Sequence, residues 1–213
     1  MQTARPLLRG VFHVLGFFIA IPVLYALFSQ AHSAAAAGYV AIYAATLLLL
    51  LGISGVYHRV TWSLAGRARM RLIDHSAIFL LIAGTYTPIC MLGVGGFLGT
   101  ALCVLIWIGA LCGIAQTLFW PDAPRPLHVG IYVVLGWAGV FGLYAEARNV
   151  GAAAVLFHLG GGVLYTLGAV AYARKRPDPW PRVFGYHEIY HVLVVVACGC
   201  LFEVVRRCVA AAM

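Results

Sequence analysis

Long apolar runs separated by short polar breaks cover this chain almost from end to end. The seven runs occupy about residues 11–29, 38–58, 72–92, 97–119, 127–145, 150–173 and 186–205. Each is close to the ~20 apolar residues that a helix needs to cross the hydrocarbon core of a bilayer. Because a chain in lipid must satisfy its own backbone hydrogen bonds, the pattern predicts seven transmembrane helices. We therefore expect an all-α fold, with residues 1–213 forming one transmembrane bundle.

Composition agrees with this pattern and excludes a soluble globular domain. Hydrophobic residues make up 63% of the chain and charged residues 9%, and the mean hydropathy is +0.96. The net charge of +8 could suggest nucleic acid, but the basic residues lie in the breaks between apolar runs, as topology signals do. We expect no nucleic-acid partner. The six cysteines include no C-x-x-C pair, which argues against a disulfide framework or a thiolate zinc site.

The distribution of basic residues predicts the orientation of the bundle. Eleven of the 14 lysines and arginines fall on one side, namely Arg5, Arg9, Arg59, Arg67, Arg69, Arg71, Arg125, Arg174, Lys175, Arg176 and Arg182. Only Arg148, Arg206 and Arg207 fall on the other. By the positive-inside rule the N-terminus is cytoplasmic and the C-terminus is outside. The first run is longer than the ~7–15 residues of a signal-peptide core, so we expect it to be retained.

The segment HEIYH, at the start of the seventh run, is the first candidate for chemistry. His187 and His191 are four residues apart, so they lie on the same face of a helix and both rings can reach one metal ion. The topology places His58, at the end of the second run, and Asp74, at the start of the third, at the same depth. Ser54 lies one turn before His58 on the same face.

Three neutral histidines with a fourth position left for water are typical of a catalytic zinc site. Imidazole suits zinc, whereas calcium and magnesium prefer several oxygen ligands and iron–sulfur clusters prefer thiolates. Each residue also has an ordinary interpretation: His58 could be interfacial, Asp74 could pair with Arg71, and Ser54 could serve helix packing. Two further neighbours, Glu188 and His75, are turned about 100° from these faces and are interpreted as flanking groups. The remaining histidines, His13, His32, His128 and His158, are not assigned to the site.

Three segments closely resemble the signature blocks of the bacterial hemolysin III family, a branch of the progestin and adipoQ receptor superfamily that includes the adiponectin receptors. They are SGVYH at residues 54–58, LIDHSAIFLLIAGTYTP at 72–88 and HEIYHVLV at 187–194. The resemblance implies a seven-helix protein of the bacterial cytoplasmic membrane. It also implies zinc bound by His58, His187 and His191, with Ser54 and Asp74 beside it.

The resemblance and the residues together lead to one main functional hypothesis. Because related receptors are similar to alkaline ceramidases, we expect a zinc-dependent hydrolase acting on a membrane lipid amide or ester, with Asp74 as base and Ser54 orienting water or the oxyanion. A non-catalytic receptor or membrane-homeostasis protein with a structural zinc is one alternative, and a pore-forming cytolysin is another. A metalloprotease with Glu188 as base is disfavoured, because the next acidic residue, Glu203, lies too far along the helix. The substrate and the oligomeric state stay open.

Overall fold

The computed structural model describes residues 6–212 and builds them almost entirely from helices. The α-helices are α1 (Val11–Ser29), α2 (Ala34–Arg59), α3 (Leu64–Pro88), α4 (Gly96–Phe119), α5 (Arg125–Trp137), α6 (Leu143–Asn149), α7 (Ala152–Arg174) and α8 (Tyr186–Ala211). A π-helical turn, Ile89–Val94, continues α3, and a 3-10 segment, Ala138–Gly142, joins α5 to α6. Within residues 6–212 no strand forms, and Arg5, used above for the topology, lies outside this range.

Six helical segments in the described part of the chain are long and apolar enough to cross a membrane. They are α1, α2, α3 with its π turn, α4, residues 125–149, and α7. Large apolar side chains such as Phe18, Leu105, Val134 and Leu156 are exposed on their outer faces. Helices that are apolar on both their inner and outer faces are suited to lipid rather than water. The prediction of an all-helical, multi-pass membrane protein is therefore confirmed.

Helix α3 begins at Leu64, eight residues before the predicted boundary at residue 72. The Ser63 side chain caps it by accepting a hydrogen bond from the Gly66 backbone N–H at 3.1 Å. Arginine is a good helix former, and a helical turn that is exposed to solvent accommodates its charge. Arg67, Arg69 and Arg71 therefore belong to α3 and not to a preceding loop. Asp74 consequently lies in the third turn of α3 and not, as expected, in the first.

Helix α3 is the central helix of the bundle. The most apolar part of α3 with its π turn is 72% buried, against 22–39% for the other five apolar segments. Gly84 allows α2 to approach closely, because a Cβ atom there would collide with the Thr46 side chain. Gly113 of α4 likewise leaves room for the Phe79 ring of α3. Polar residues of α3 are thus held inside the protein rather than in lipid.

The chain before α1 is tied to the start of α8. The backbone N–H groups of Leu7 and Leu8 donate to the carbonyls of Arg182 and Val183 at 3.0 and 3.2 Å. The Arg9 guanidinium donates to Glu188, whose carboxylate also accepts from the Gly185 backbone N–H at 2.8 Å. Glu188 therefore caps α8 and anchors α1 with the same side chain.

Candidate metal centre

The imidazoles of His58, His187 and His191 converge at one end of the bundle. One ring nitrogen from each lies within 4.8 Å of the other two, although α2 and α8 are far apart in sequence. The Nε2 atoms of His58 and His187 are 3.2 Å apart. All three rings face the same interior cavity. The predicted convergence of these side chains is thus present in the fold, and this histidine trio is a group that can hold a metal ion.

The donor set fits a small, tetrahedral, nitrogen-binding cation. Two nitrogens bound at 2.0–2.1 Å to one tetrahedral zinc ion are about 3.3 Å apart, close to the 3.2 Å between His58 and His187. That distance alone would also suit a hydrogen bond between the two rings. The third imidazole, from His191, is 2% exposed and turned toward the same point, which favours a shared ion.

His13 of α1 supports the trio from one side, which the sequence did not reveal. Its ring stacks on His191 with centroids 3.9 Å apart and planes 6° apart. The side chain is 2% exposed, and within residues 6–212 neither ring nitrogen has a hydrogen-bond partner. The available signal was that His13 lies one turn after Arg9, at the same membrane depth as His58.

Asp74 and Ser54 form a pair beside the trio. The Ser54 hydroxyl lies near the Asp74 carboxyl, and both residues are buried and line the cavity with the histidines. Arg71, the ordinary partner considered for Asp74, approaches the carboxylate of Asp122 instead, at 3.8 Å. A buried carboxyl that faces a cavity and has a hydroxyl nearby is well placed to exchange a proton with a bound molecule.

The two flanking residues take different places. Glu188 is 0% exposed, and its two carboxylate oxygens are engaged by Arg9 and Gly185, so it is a structural group of α8. His75 faces the cavity near its mouth, with its ring centroid 6.2 Å from that of His128. Both histidines therefore lie on the cavity wall, although the sequence reasoning left His128 out.

The cavity extends from the trio into the middle of the bundle. Its volume is about 380 Å³, and its lining runs from Arg71 and Asp74 at one end of α3 to Tyr86 near the other. Twelve residues of helix separate Asp74 from Tyr86, which corresponds to a depth of about 18 Å. Between the polar ends the wall is largely apolar, with side chains such as Ile78 and Val194. An elongated amphiphile matches this shape better than a small polar molecule does.

A second buried polar cluster closes the inner end of the cavity. His158 of α7 contacts Glu146 through Nδ1 at 2.7 Å and the Tyr86 hydroxyl through Nε2 at 3.0 Å. Since that hydroxyl donates to the Gly136 carbonyl, Nε2 must be a donor, and the contact to Glu146 requires one further proton. Either a charged His158 with an ionised Glu146 or a neutral His158 with a protonated Glu146 provides that proton. Both arrangements leave the cluster without net charge. The sequence leaves His158 out of the proposed metal site because it lies in the outer half of its helix, far from the trio, and the structure places it at this separate cluster.

Comparison of the sequence with known proteins finds one family and several of its members. A model of the family described as haemolysin-III related matches residues 1–202. The Hemolysin-3 homolog of Bacillus subtilis is 30% identical over 200 residues, covering 91% of this chain and 89% of that protein. Hemolysin-3 of Bacillus cereus is 28% identical over 197 residues, covering 91% and 87%. The adiponectin receptor protein of Drosophila melanogaster is 25% identical over 171 residues, covering 70% and 38%.

Proposed function

This chain belongs to the haemolysin-III-related family, and from that premise we propose that it is a membrane-embedded, zinc-dependent hydrolase of a lipid amide or ester. The observation that carries the proposal is the placement of three convergent imidazoles and the Asp74–Ser54 pair on the wall of one cavity. That cavity is apolar along most of its length, which suits an acyl chain.

The proposed topology has seven transmembrane helices, with α8 as the seventh. Helix α8 is 26 residues long, so at about 1.5 Å per residue it is long enough to span a bilayer. Its acidic Glu203 is paired with Arg206 and Arg207. With the N-terminus in the cytoplasm, the trio lies near the cytoplasmic face of a bacterial inner membrane. The bilayer then gives a lipid direct access to the site.

Zinc is the ion we propose for the trio, held by His58, His187 and His191. When bound, it supplies Lewis acidity, which polarises a carbonyl and makes water more acidic near neutral pH. Three protein ligands leave a position for a reacting molecule, whereas structural zinc sites are closed by four. The stacked His13 ring keeps the His191 ring in the orientation that the trio requires.

Asp74 and Ser54 perform the proton chemistry in this proposal. An Asp74 carboxylate oxygen accepts a proton from a water molecule while the oxygen of that water attacks the acyl carbon. It then returns that proton to the departing nitrogen or oxygen as the C–N or C–O bond breaks. The Ser54 hydroxyl orients the carboxyl and can donate to the oxygen that becomes negative. Water is the only co-reactant, and the products are a fatty acid and an amine or alcohol.

Three other functions compete with hydrolysis. In a receptor or membrane-homeostasis protein with a structural metal, the ion would stabilise the bundle and Asp74 would be dispensable. The Asp74–Ser54 pair on the cavity wall favours hydrolysis, because a structural ion does not require a proton acceptor that faces a cavity.

A pore-forming lysin predicts ion conductance in reconstituted bilayers that persists after the metal is removed. A metalloprotease would need Glu188 free to act as base, and both of its carboxylate oxygens are engaged.

The experiment compares lipid turnover with metal content in the same purified protein. We expect wild-type protein loaded with zinc to release fatty acid from at least one class in a panel of bacterial lipid amides and esters. The Asp74→Asn variant should keep its zinc and lose turnover. Retention of zinc with no turnover of any lipid in the wild type would support the receptor alternative instead.

A further inference from the structure

The mouth of the cavity is strongly basic. Arg67 and Arg71 from the first turns of α3 and Arg125 from the first turn of α5 all line it, together with His75 and His128. Arg67 and Arg71 line the cavity and are also exposed, so the cavity reaches the protein surface beside them. Mutual repulsion among cations raises the energy of the empty mouth and favours a ligand that carries negative charge.

Counter-ions in the described part of the chain do not neutralise this mouth. The carboxylate closest to Arg71 belongs to Asp122, whose side chain is 90% exposed and 3.8 Å away, and an exposed pair of this kind is weak. Asp74 is deeper and lies near Ser54. Arg125 rests on the Tyr172 ring, 4.8 Å from its centroid, which fixes the guanidinium without neutralising it.

Two buried nitrogens at the mouth lack hydrogen-bond partners among residues 6–212. One is Nη1 of Arg125 and the other is Nδ1 of His128, whose side chain is 8% exposed and lines the cavity. Buried polar groups are normally paired, because an unpaired one retains the full cost of leaving water. Unpartnered nitrogens on two neighbouring turns of α5 are therefore an independent sign that a polar ligand completes this wall.

We propose that the mouth formed by Arg67, Arg71, Arg125 and His128 binds the phosphate group of an anionic membrane lipid, which is the substrate class of the hydrolase. The proposal rests on the proposed function for the identity of the reaction. Arginine pairs with phosphate through two parallel hydrogen bonds, and a free guanidinium nitrogen fixed over an aromatic ring is prepared for this contact.

The spacing of the mouth and the trio suits a phospholipid. Arg71 precedes Asp74 by three residues, so their Cα atoms differ in depth by about 4.5 Å. A phosphate held at Arg71 and Arg125 is then within a few covalent bonds of an acyl carbonyl placed between Asp74 and the histidines. Hydrolysis there adds water across one acyl C–O or C–N bond, releases the fatty acid down the apolar cavity, and leaves the phosphate-bearing part at the mouth.

Arginines at this face also follow from the positive-inside rule, and Arg69 separates the two explanations. Arg69 lies on α3 between Arg67 and Arg71, is exposed, and is absent from the cavity wall. General attraction to an anionic surface would involve all three arginines similarly. A built phosphate site depends on Arg71 and Arg125 and not on Arg69.

The test measures binding of short-chain phospholipids to the purified, zinc-loaded protein in a non-ionic detergent, from the rise in thermal unfolding temperature. The probes are dioctanoyl phosphatidylglycerol, dioctanoyl phosphatidylcholine and inorganic phosphate. Wild-type protein should bind phosphatidylglycerol in preference to phosphatidylcholine. We expect Arg125→Gln and Arg71→Gln each to weaken phosphatidylglycerol binding about tenfold, which corresponds to one charge-assisted hydrogen bond. Arg69→Gln should bind as the wild type does.

Three outcomes overturn the proposal. Equal weakening by Arg69→Gln would assign binding to general surface charge, and equal affinity for both lipids would show that the mouth does not read the headgroup. Binding of inorganic phosphate as tight as that of phosphatidylglycerol would assign the site to a free anion. Should Arg125→Gln fail to fold, Arg71→Gln, whose side chain is more exposed, decides the matter. If the wild-type protein shows no lipid turnover or binds no zinc, the hydrolase proposal fails. A measured preference for the anionic headgroup would still stand.

Discussion

The ring of His13 lies flat against the ring of His191, with centroids 3.9 Å apart. The contact joins the first helix of the bundle to a proposed metal ligand on α8, and it restricts how far that ligand can rotate. Interactions outside the ligand set commonly change metal affinity by about 10–100-fold when they are removed. His13 is therefore expected to influence the site without binding the ion.

Substitution of His13 tests this role directly. His13→Phe keeps a flat ring against His191 and should bind zinc about as tightly as the wild type. His13→Ala removes the ring and should weaken zinc binding about tenfold, measured by competition with a chelator. If the phenylalanine variant loses as much affinity as the alanine variant, a nitrogen of His13 contacts the metal and the ligand set must be revised.

The trio itself is tested by metal analysis of purified protein. His58→Ala, His187→Ala and His191→Ala should each lower bound zinc from about one ion per chain to well below half, because two remaining imidazoles make a poor site. His32→Ala is the matched control, since His32 lies exposed between α1 and α2. Full zinc content in any of the three variants would contradict the proposed site.

Asp74 should be needed for turnover and not for zinc binding. Asp74→Asn removes the proton acceptor while keeping the size of the side chain, so lipid turnover should fall by about 10²–10⁴-fold with zinc content unchanged. Ser54→Ala should cost less, about tenfold, because the hydroxyl assists the carboxyl rather than replacing it. Normal turnover in Asp74→Asn would exclude this residue as the base.

Glu188 should affect stability more than chemistry. Glu188→Gln leaves Arg9 without its buried anionic partner and should lower the free energy of unfolding by about 3 kcal/mol. Turnover per folded, zinc-loaded molecule should persist, as measured after correction for the folded fraction. A stable, zinc-loaded Glu188→Gln protein without lipid turnover would instead show that Glu188 takes part in the chemistry.

The inner polar cluster should stabilise the bundle independently of the metal. Glu146→Gln removes the carboxylate that faces Nδ1 of His158 and should cost about 2 kcal/mol of stability. Zinc content should be unaffected, since His158 contacts Tyr86, which lies about 18 Å further along α3 than Asp74. Glu203→Gln, at a partly exposed ion pair with Arg206 and Arg207 on α8, is the control and should change stability by less than about 1 kcal/mol. An equal effect of the two variants would show that the buried pair has no special importance.

The sequence was sufficient to predict an all-helical, multi-pass fold and the convergence of the trio for two physical reasons. A long apolar run in lipid forms a helix, because only a helix satisfies its backbone hydrogen bonds within one segment. Basic residues between the runs indicate which helix ends lie on the same side of the membrane. Depth could then be counted along each helix, which brought His58 to the level of His187 and His191. The family resemblance is confirmed by the match over residues 1–202.

The sequence could not predict which face of each helix points into the bundle or which helices pack against each other. The stacking of His13 on His191, and the meeting of His158 with Glu146, depend on which faces α1, α6 and α7 turn inward. Apolar residues surround α1 and α7 on all sides, so periodicity does not distinguish their inner faces, and α6 is too short to show a period. The early start of α3 was missed because arginines were taken as a loop signal, although an exposed helical turn accommodates them equally well.

The link between Arg9 and Glu188 has a consequence for biogenesis. It joins positions 179 residues apart, and the imidazoles that approach each other at 3.2 Å come from positions 129 apart. Helix α8 emerges from the ribosome after α1 to α7 have been synthesised, so the nascent chain carries only one ring of the trio until α8 is made. If the trio holds the proposed ion, uptake of that ion follows the synthesis of α8 and reports that α2 and α8 have come together.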